Sequence, residues 1–134
     1  LYTSNMDKIQ ETLTKYFKDK AKFVLLFGST AKGSNNSESD IDIGVYYSEP
    51  KEFSEWFEDQ TQLSELFQKE VDLIYLNESD TIITMQVLAN GNLVFCNDIS
   101  LFHSFKAQKI SEYIDFKQDR KIIEDNLLRK KNNA

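Results

Sequence analysis

Two short segments of this 134-residue chain carry residues that could perform phosphate chemistry. Gly28-Ser29 follows the apolar run from Phe23 to Phe27, and ten residues later Asp40-Ile41-Asp42 opens a second apolar run. Strand residues two apart point to one face, about 6 to 7 Å from each other, so we expect the carboxylates of Asp40 and Asp42 to converge beyond the glycine turn. Two carboxylates beside a phosphate-sized backbone cradle predict a site for Mg²⁺ and a nucleoside triphosphate.

A third acid, Asp72, lies within the apolar run from Val71 to Leu76. Ionised carboxylates at neighbouring strand positions repel one another unless a cation binds between them. Three acids beside a glycine turn would therefore destabilise the fold if their role were structural alone. We therefore predict that Asp40, Asp42 and Asp72 bind metal, with two ions roughly 4 Å apart stabilising both oxygens of a phosphoryl displacement. Asp72 would complete the ion beside the nucleophile and accept the nucleophile's proton.

The glycine turn is predicted to hold the triphosphate. Gly28 has no side chain, so phosphate can approach its backbone. The N–H groups of Ser29 and Thr30, with the Ser29 hydroxyl, can bind the β- and γ-phosphates at a helix N-terminus. Lys32 either lends charge to the phosphates or is a surface lysine. The segment matches neither the Walker loop nor the dinucleotide-binding Gly-x-Gly-x-x-Gly.

Alternating helical and strand patterns predict the elements that position these residues. Short apolar runs predict strands at 23–27, 41–47, 71–76 and 93–96, the last at a sheet edge. Apolar residues at helical spacing predict helices over 6–17, 50–69, 82–88 and 99–131, the last being one long helix or two with a tight break. The capping signals are Ser4 for the first helix, Asn77 or Ser79 for the third, and a left-handed stop at Asn90-Gly91.

These elements predict a small α/β domain with a mixed sheet and flanking helices. We expect one domain over 1–134, with a catalytic core at about 20–98 and a helical C-terminal segment at about 99–131. Met6 is a candidate native start, and residues 1–5 are given no functional weight.

Composition and charge narrow the class of protein. A net charge of −6 argues against a long nucleic acid as partner. No run of about 18 apolar residues occurs and no signal-peptide pattern opens the chain, so a soluble cytoplasmic protein is expected. The acidic stretch 49–72 and the basic C-terminal end are solvated faces or a polarised surface for a protein partner. Cys96 is expected in the core, and His103 is left out of the site.

The pattern Gly28-Ser29-x10-Asp40-Ile41-Asp42, with Asp72 on a later strand, resembles the nucleotidyltransferase superfamily related to DNA polymerase β. It resembles in particular the minimal nucleotidyltransferases (MNT), which act as antitoxins beside HEPN-domain toxins. The resemblance continues through Ala89–Phe95 and Tyr113–Phe116, with Arg120 near the end. Lys32 departs from the family, which commonly has arginine there; lysine offers a point charge rather than a two-pronged fork.

The resemblance implies a polymerase β-like palm fold and an adenylyltransferase that uses ATP and two Mg²⁺ ions. It implies transfer of AMP to a tyrosine of a cognate HEPN ribonuclease toxin, which silences that toxin. The resemblance also implies a hetero-oligomer in which the toxin docks on the C-terminal helix and its basic end.

Three alternatives stay open. An aminoglycoside-type nucleotidyltransferase usually carries a further helical domain, for which residues 99–134 leave little room. An antitoxin that acts by binding alone would be expected to have lost a carboxylate or the Gly-Ser pair, and all are present. A polymerase-like or tRNA-modifying enzyme is disfavoured by the acidic balance.

Overall fold

The computed structural model of the chain describes residues 5–28 and 40–132. Within these residues the chain forms four helices and four strands. They are α1 (Asn5–Phe17), β1 (Ala21–Phe27), β2 (Ile41–Tyr47), α2 (Phe53–Phe67), β3 (Val71–Tyr75), α3 (Thr81–Asn90), β4 (Asn92–Cys96) and α4 (Ile99–Asn132). None of these helices is both long and apolar enough to cross a membrane.

The strands form one sheet in the order β3-β2-β1-β4. Strand β1 pairs antiparallel with both β2 and β4, whereas β2 and β3 are parallel. The parallel pair is joined through α2, which supplies the crossover that two parallel strands require. The predicted mixed sheet is confirmed, and so is the edge position of β4.

Helices cover both faces of the sheet. On one face, α1 and α2 enclose a core built from alternate strand residues, in which Leu13, Phe17 and Leu63 are fully buried. On the other face, α3 and α4 pack over Phe23 and Leu25 through a second core cluster, whose helical members are Val87, Leu88, Phe102 and Phe105. Gly44 of β2 permits a close approach of α3, since a Cβ there would lie 2.9 Å from Val87 Cγ1.

Three capping predictions differ from the structure or fall outside it. The cap of α3 is neither Asn77 nor Ser79 but Asp80, whose side chain accepts the N–H of Ile83 at 2.8 Å. Asn77 instead bonds both backbone groups of Tyr47, at 2.8 and 3.1 Å. The predicted cap at Ser4 lies outside the described residues.

The predicted left-handed stop at Asn90-Gly91 is also wrong. Gly91 is extended, with φ −93°. Its lack of a side chain is required for another reason: a Cβ would overlap the Val87 carbonyl oxygen and lie 3.4 Å from Leu25 Cβ. Close approach to the Val87 carbonyl of α3, rather than backbone handedness, therefore selects glycine here.

A buried carboxylate fastens α2 to the rest of the first core. Asp59 accepts the hydroxyls of Tyr16 and Tyr47, each at 2.7 Å, and the Lys20 ammonium at 3.3 Å. Tyr47 is fully buried. Burial and the Asp59 carboxylate both raise the pKa of the Tyr47 hydroxyl, which therefore stays protonated and donates.

Replacing Asp59 by alanine should lower the free energy of unfolding by about 3 kcal/mol, because it leaves a buried tyrosine hydroxyl without its acceptor. Urea unfolding followed by circular dichroism measures the change. The exposed Glu65 on the same helix provides the control, since Glu65→Ala should change stability by no more than about 0.5 kcal/mol. Equal stability of the two variants would contradict the structural role assigned to Asp59.

Candidate active site

Strand pairing brings two of the predicted site residues together. Asp42 and Asp72 are both second residues of their strands, and they are directly paired in the parallel register of β2 and β3. On the other side of β2, Asp42 is paired with Phe27, the last residue of β1. The site therefore lies where β1 ends and where β2 and β3 begin, on the sheet face that α3 and α4 cover farther along.

The pKa of the Asp42 carboxyl is set by burial and by the neighbouring carboxylates. Asp42 is half-buried, whereas Asp40 and Asp72 are exposed. Burial raises the pKa of the Asp42 carboxyl above its ordinary value, and the charges of Asp72 and Asp40 and a hydrogen bond with Asp72 raise it further. Negative charge is thus disfavoured at Asp42 in the protein alone, and a cation at this position would remove the penalty.

Gly28 directly follows β1 and bounds the site on that side. Its φ of +77° lies in the left-handed region that favours glycine. A Cβ on this residue would overlap Asp42 Oδ2 and lie 3.2 Å from Asp42 Cγ. The backbone of Gly28 therefore lies directly against the Asp42 carboxylate, and the phosphate cradle predicted at Gly28 stays a prediction.

The donors fit a divalent cation by their chemistry, because hard carboxylate oxygens are the ligands that Mg²⁺ prefers. No three His, Cys, Asp or Glu side chains within 5–28 and 40–132 are gathered closely enough to enclose an ion. Asp42 and Asp72 touch one another, and Asp40 acts on Asp42 through its charge. Joint metal binding by all three acids therefore stays a prediction.

The remaining predicted residues fall outside this geometry. Ser29, Thr30 and Lys32 lie outside the described residues. His103 is exposed on α4, and Cys96 is half-buried against the second core cluster. The structure thus brings together Gly28, Asp42 and Asp72, with Asp40 acting on Asp42 through its charge, and it leaves the histidine and cysteine elsewhere.

Sequence reasoning missed a groove that none of the three acids lines. Trp56 stacks on Tyr75, with ring centroids 5.9 Å apart. Trp56 also lines a groove of about 610 Å³ along the outer edge of β3, together with Phe53 and Ile74. The one available signal was the density of aromatic residues at the start of α2, where Phe53, Trp56 and Phe57 follow closely on one another.

Residues 7–100 match the family described as polymerase beta, nucleotidyltransferase. The match spans most of the chain and includes every residue of the predicted site. The chain therefore belongs to the polymerase beta nucleotidyltransferase family, and the fold and enzyme class expected from the resemblance are confirmed.

Similarity to individual proteins is more specific than the match to the family. The chain is 28% identical to the protein adenylyltransferase MntA of Shewanella oneidensis over 111 residues, which cover 81% of this chain and 78% of MntA. It matches a chain in a crystal structure of a toxin-antitoxin with AMP-PNP with a TM-score of 0.76 and 26% identity, covering 93% of this chain and 99% of that one.

A third match supports the fold alone. A re-refined structure of the tri-AMPylated Shewanella oneidensis HEPN toxin in complex with MNT antitoxin gives a TM-score of 0.75 at 23% identity. The match covers 92% of this chain and 98% of the other. The long helix α4 is included in these superpositions, because more than nine-tenths of the chain is aligned.

Proposed function

We propose that this protein transfers AMP from ATP to a tyrosine hydroxyl of a HEPN ribonuclease toxin and thereby silences it as an antitoxin. One observation carries the proposal: Asp42 faces Asp72 across adjacent strands while the backbone of Gly28 lies against Asp42. The likeness to MntA and to a toxin-antitoxin with AMP-PNP supports the nucleotide and the kind of partner.

Each site residue has a distinct task in this proposal. The backbone at Gly28, continued by the N–H groups of Ser29 and Thr30 and the charge of Lys32, would hold the triphosphate. Asp40, Asp42 and Asp72 would hold two Mg²⁺ ions, which when bound stabilise negative charge on the attacking and leaving oxygens. All of the acids are present, which favours catalysis over inhibition by binding alone.

Asp72 is suited to receive the proton of the acceptor. It is exposed and lies on the edge strand β3, so an incoming hydroxyl can reach it. The tyrosine oxygen forms a bond to the α-phosphorus, the bond from that phosphorus to the bridging oxygen breaks, and pyrophosphate leaves. The hydroxyl proton passes to a carboxylate oxygen of Asp72.

Replacing Asp72 by asparagine should lower the rate of AMP transfer by about 100-fold or more while ATP still binds, because an amide cannot accept the proton. Calorimetry with ATP and a single-turnover transfer assay separate the two effects. The exposed Asp19 in the turn after α1 gives a charge-matched control, and Asp19→Asn should transfer at the wild-type rate. Wild-type transfer by the Asp72 variant would remove Asp72 from the chemical step.

Helix α4 offers the surface on which we propose that the toxin docks. From Ile110 onward, this helix exposes a set of large apolar side chains: Ile110, Ile114, Phe116, Ile122, Ile123, Leu127 and Leu128. Exposed apolar surface of this extent marks interaction sites in soluble proteins. Residues 1–134 would then form one nucleotidyltransferase domain whose last helix joins it to its partner in the cytoplasm.

Pyrophosphate release tests the class of acceptor. The protein is supplied with ATP and Mg²⁺ and with one acceptor at a time: the protein encoded by its genomic neighbour, or an aminoglycoside of the kanamycin type. Release with the protein acceptor alone supports the proposal, whereas release with the aminoglycoside alone establishes the small-molecule alternative. A tight protein complex without pyrophosphate would show an antitoxin that acts by binding.

A further inference from the structure

We propose that the surface where α3 packs against α4 holds a second nucleotide site, which binds adenosine 5′-monophosphate apart from the candidate active site. Two adjoining hollows of about 470 and 290 Å³ lie there, and Ile82 and Tyr113 line both of them. Neither Gly28 nor any of the three acids, all of which the structure describes, lines either hollow. Together the two hollows are large enough for a nucleotide.

The smaller hollow offers a place for the base. Tyr113 is half-buried and forms an aromatic wall, and Met85 and Ala89 add apolar surface. Nucleic acid bases stack on aromatic side chains, because every base has a π-face. The side chains of Gln86 and Asn90 line the same hollow. It therefore combines a stacking surface with two amides that can contact the edge of a base.

These amides favour adenine. Asn90 Nδ2 donates to the Gln86 carbonyl oxygen at 3.1 Å, which leaves Asn90 Oδ1 as an acceptor. The side-chain amide of Gln86 is exposed and forms no hydrogen bond with any residue within 5–28 and 40–132. An amide offers one donor and one acceptor, which match N7 and the N6 amino group of adenine, whereas guanine presents two acceptors on that edge. We therefore expect adenine to bind more tightly than guanine.

The larger hollow carries the positive charge that a phosphate group needs. Lys117, Arg120 and Lys121 line it together with a single acid, Glu124. Arg120 is paired with Glu124 at 3.0 Å, so Lys117 and Lys121 have no acidic partner in the part of the chain that the structure describes. Two lysines balance the charge of about −2 that one phosphate group carries at neutral pH. A monophosphate, rather than a triphosphate, is thus the expected ligand.

The spacing of the aromatic ring and the lysines fits a single nucleotide. Lys117 Nζ lies 5.2 Å from the centroid of the Tyr113 ring. Lys121 follows about one helical turn later, roughly 6 Å farther along α4 and on the same side of the helix. A base against Tyr113 therefore brings its 5′-phosphate within reach of the two ammonium groups.

Equilibrium dialysis in a chelating buffer tests the site with AMP at up to millimolar concentration. The comparison ligands are GMP, adenosine and inorganic phosphate. We expect saturable binding of AMP that is about tenfold tighter than binding of any of the three. A folded Gly28→Val variant should bind AMP as the wild type does, because the hollows lie apart from Gly28.

Variants at exposed positions of the two hollows separate the base from the phosphate. Gln86→Leu should weaken AMP binding about tenfold and remove the preference for AMP over GMP. Lys121→Gln should weaken AMP binding about tenfold and leave adenosine binding unchanged. The control is Lys106→Gln, since Lys106 is exposed earlier on α4 and lines neither hollow. The control variant should bind AMP as the wild type does.

Four outcomes would overturn the proposal. Wild-type AMP binding by both Gln86→Leu and Lys121→Gln would remove the site from these hollows, and loss of AMP binding in folded Gly28→Val would place AMP in the candidate active site. Phosphate that binds as tightly as AMP would show an adventitious ion only. Displacement of AMP by a glutamate-rich peptide of equal affinity would identify a surface for an acidic protein segment instead. The assay contains no acceptor and follows no transfer, so its outcome is independent of the proposed function.

Discussion

The Asp42→Asn variant is expected to lose nucleotidyl transfer by on the order of 1,000-fold while melting at a higher temperature than the wild-type protein. Transfer is lost because the amide carries no charge to bind a divalent cation between the strands. Stability rises because burial and the charges of Asp72 and Asp40 already disfavour the Asp42 carboxylate in the folded protein. AMP transfer and thermal melting in a chelating buffer, measured on the same preparation, check both effects.

Addition of Mg²⁺ sharpens this test. In the wild type the cation should raise the melting temperature, because it binds the folded state and relieves the repulsion. The Asp42→Asn variant should respond much less. Asp19→Asn, which removes an exposed carboxylate from the turn after α1, should behave as wild type in both assays. Substantial transfer by the Asp42 variant would contradict its assignment as a metal ligand, and loss of the fold would indicate a structural role.

Gly28→Val should abolish ATP binding. The new side chain would place Cβ onto Asp42 Oδ2, in the space between the backbone and the carboxylate, and it would strain a residue whose φ is +77°. Calorimetric titration with ATP and Mg²⁺ measures the loss directly. Ala107→Val, at an exposed position of α4, controls for the introduction of a β-branched side chain.

Two further measurements complete the interpretation of this variant. Circular dichroism must show that Gly28→Val keeps the helices and strands, so that lost binding reflects the site. Unchanged ATP affinity in a folded variant would place the triphosphate elsewhere and remove Gly28 from the cradle.

Much of the fold followed from local pattern. Strand β2 has the bounds that its apolar run predicted, Ile41 to Tyr47, because a short apolar run between turn residues is typical of a buried strand. Helix α2 begins at Phe53 rather than at Pro50, since Glu52 takes the N-cap position and its N–H is bonded by the Glu55 side chain at 3.1 Å. The end of an element depends on such contacts, which periodicity does not encode.

For the candidate site, too, one part could be predicted from the sequence and another part could not. The acids and Gly28 were predicted as site residues from their types and spacing, because carboxylates on apolar strands need a chemical reason. The pairing of Asp42 with Asp72 could not be read from spacing, since it depends on how α2 carries the chain across to a parallel strand. Nor could the groove at Trp56, because helical period places a ring on the buried face without showing how far the next helix covers it.

The most direct test of the proposed function is to locate the transferred group by mass spectrometry. The protein is incubated with ATP, Mg²⁺ and the protein encoded beside it, and both chains are weighed and mapped by peptide. We predict a gain of whole AMP units on a tyrosine of the partner, and none when Asp42→Asn replaces the wild type. An unmodified partner in a tight complex, or AMP bonded to any residue type other than tyrosine, would contradict the assignment.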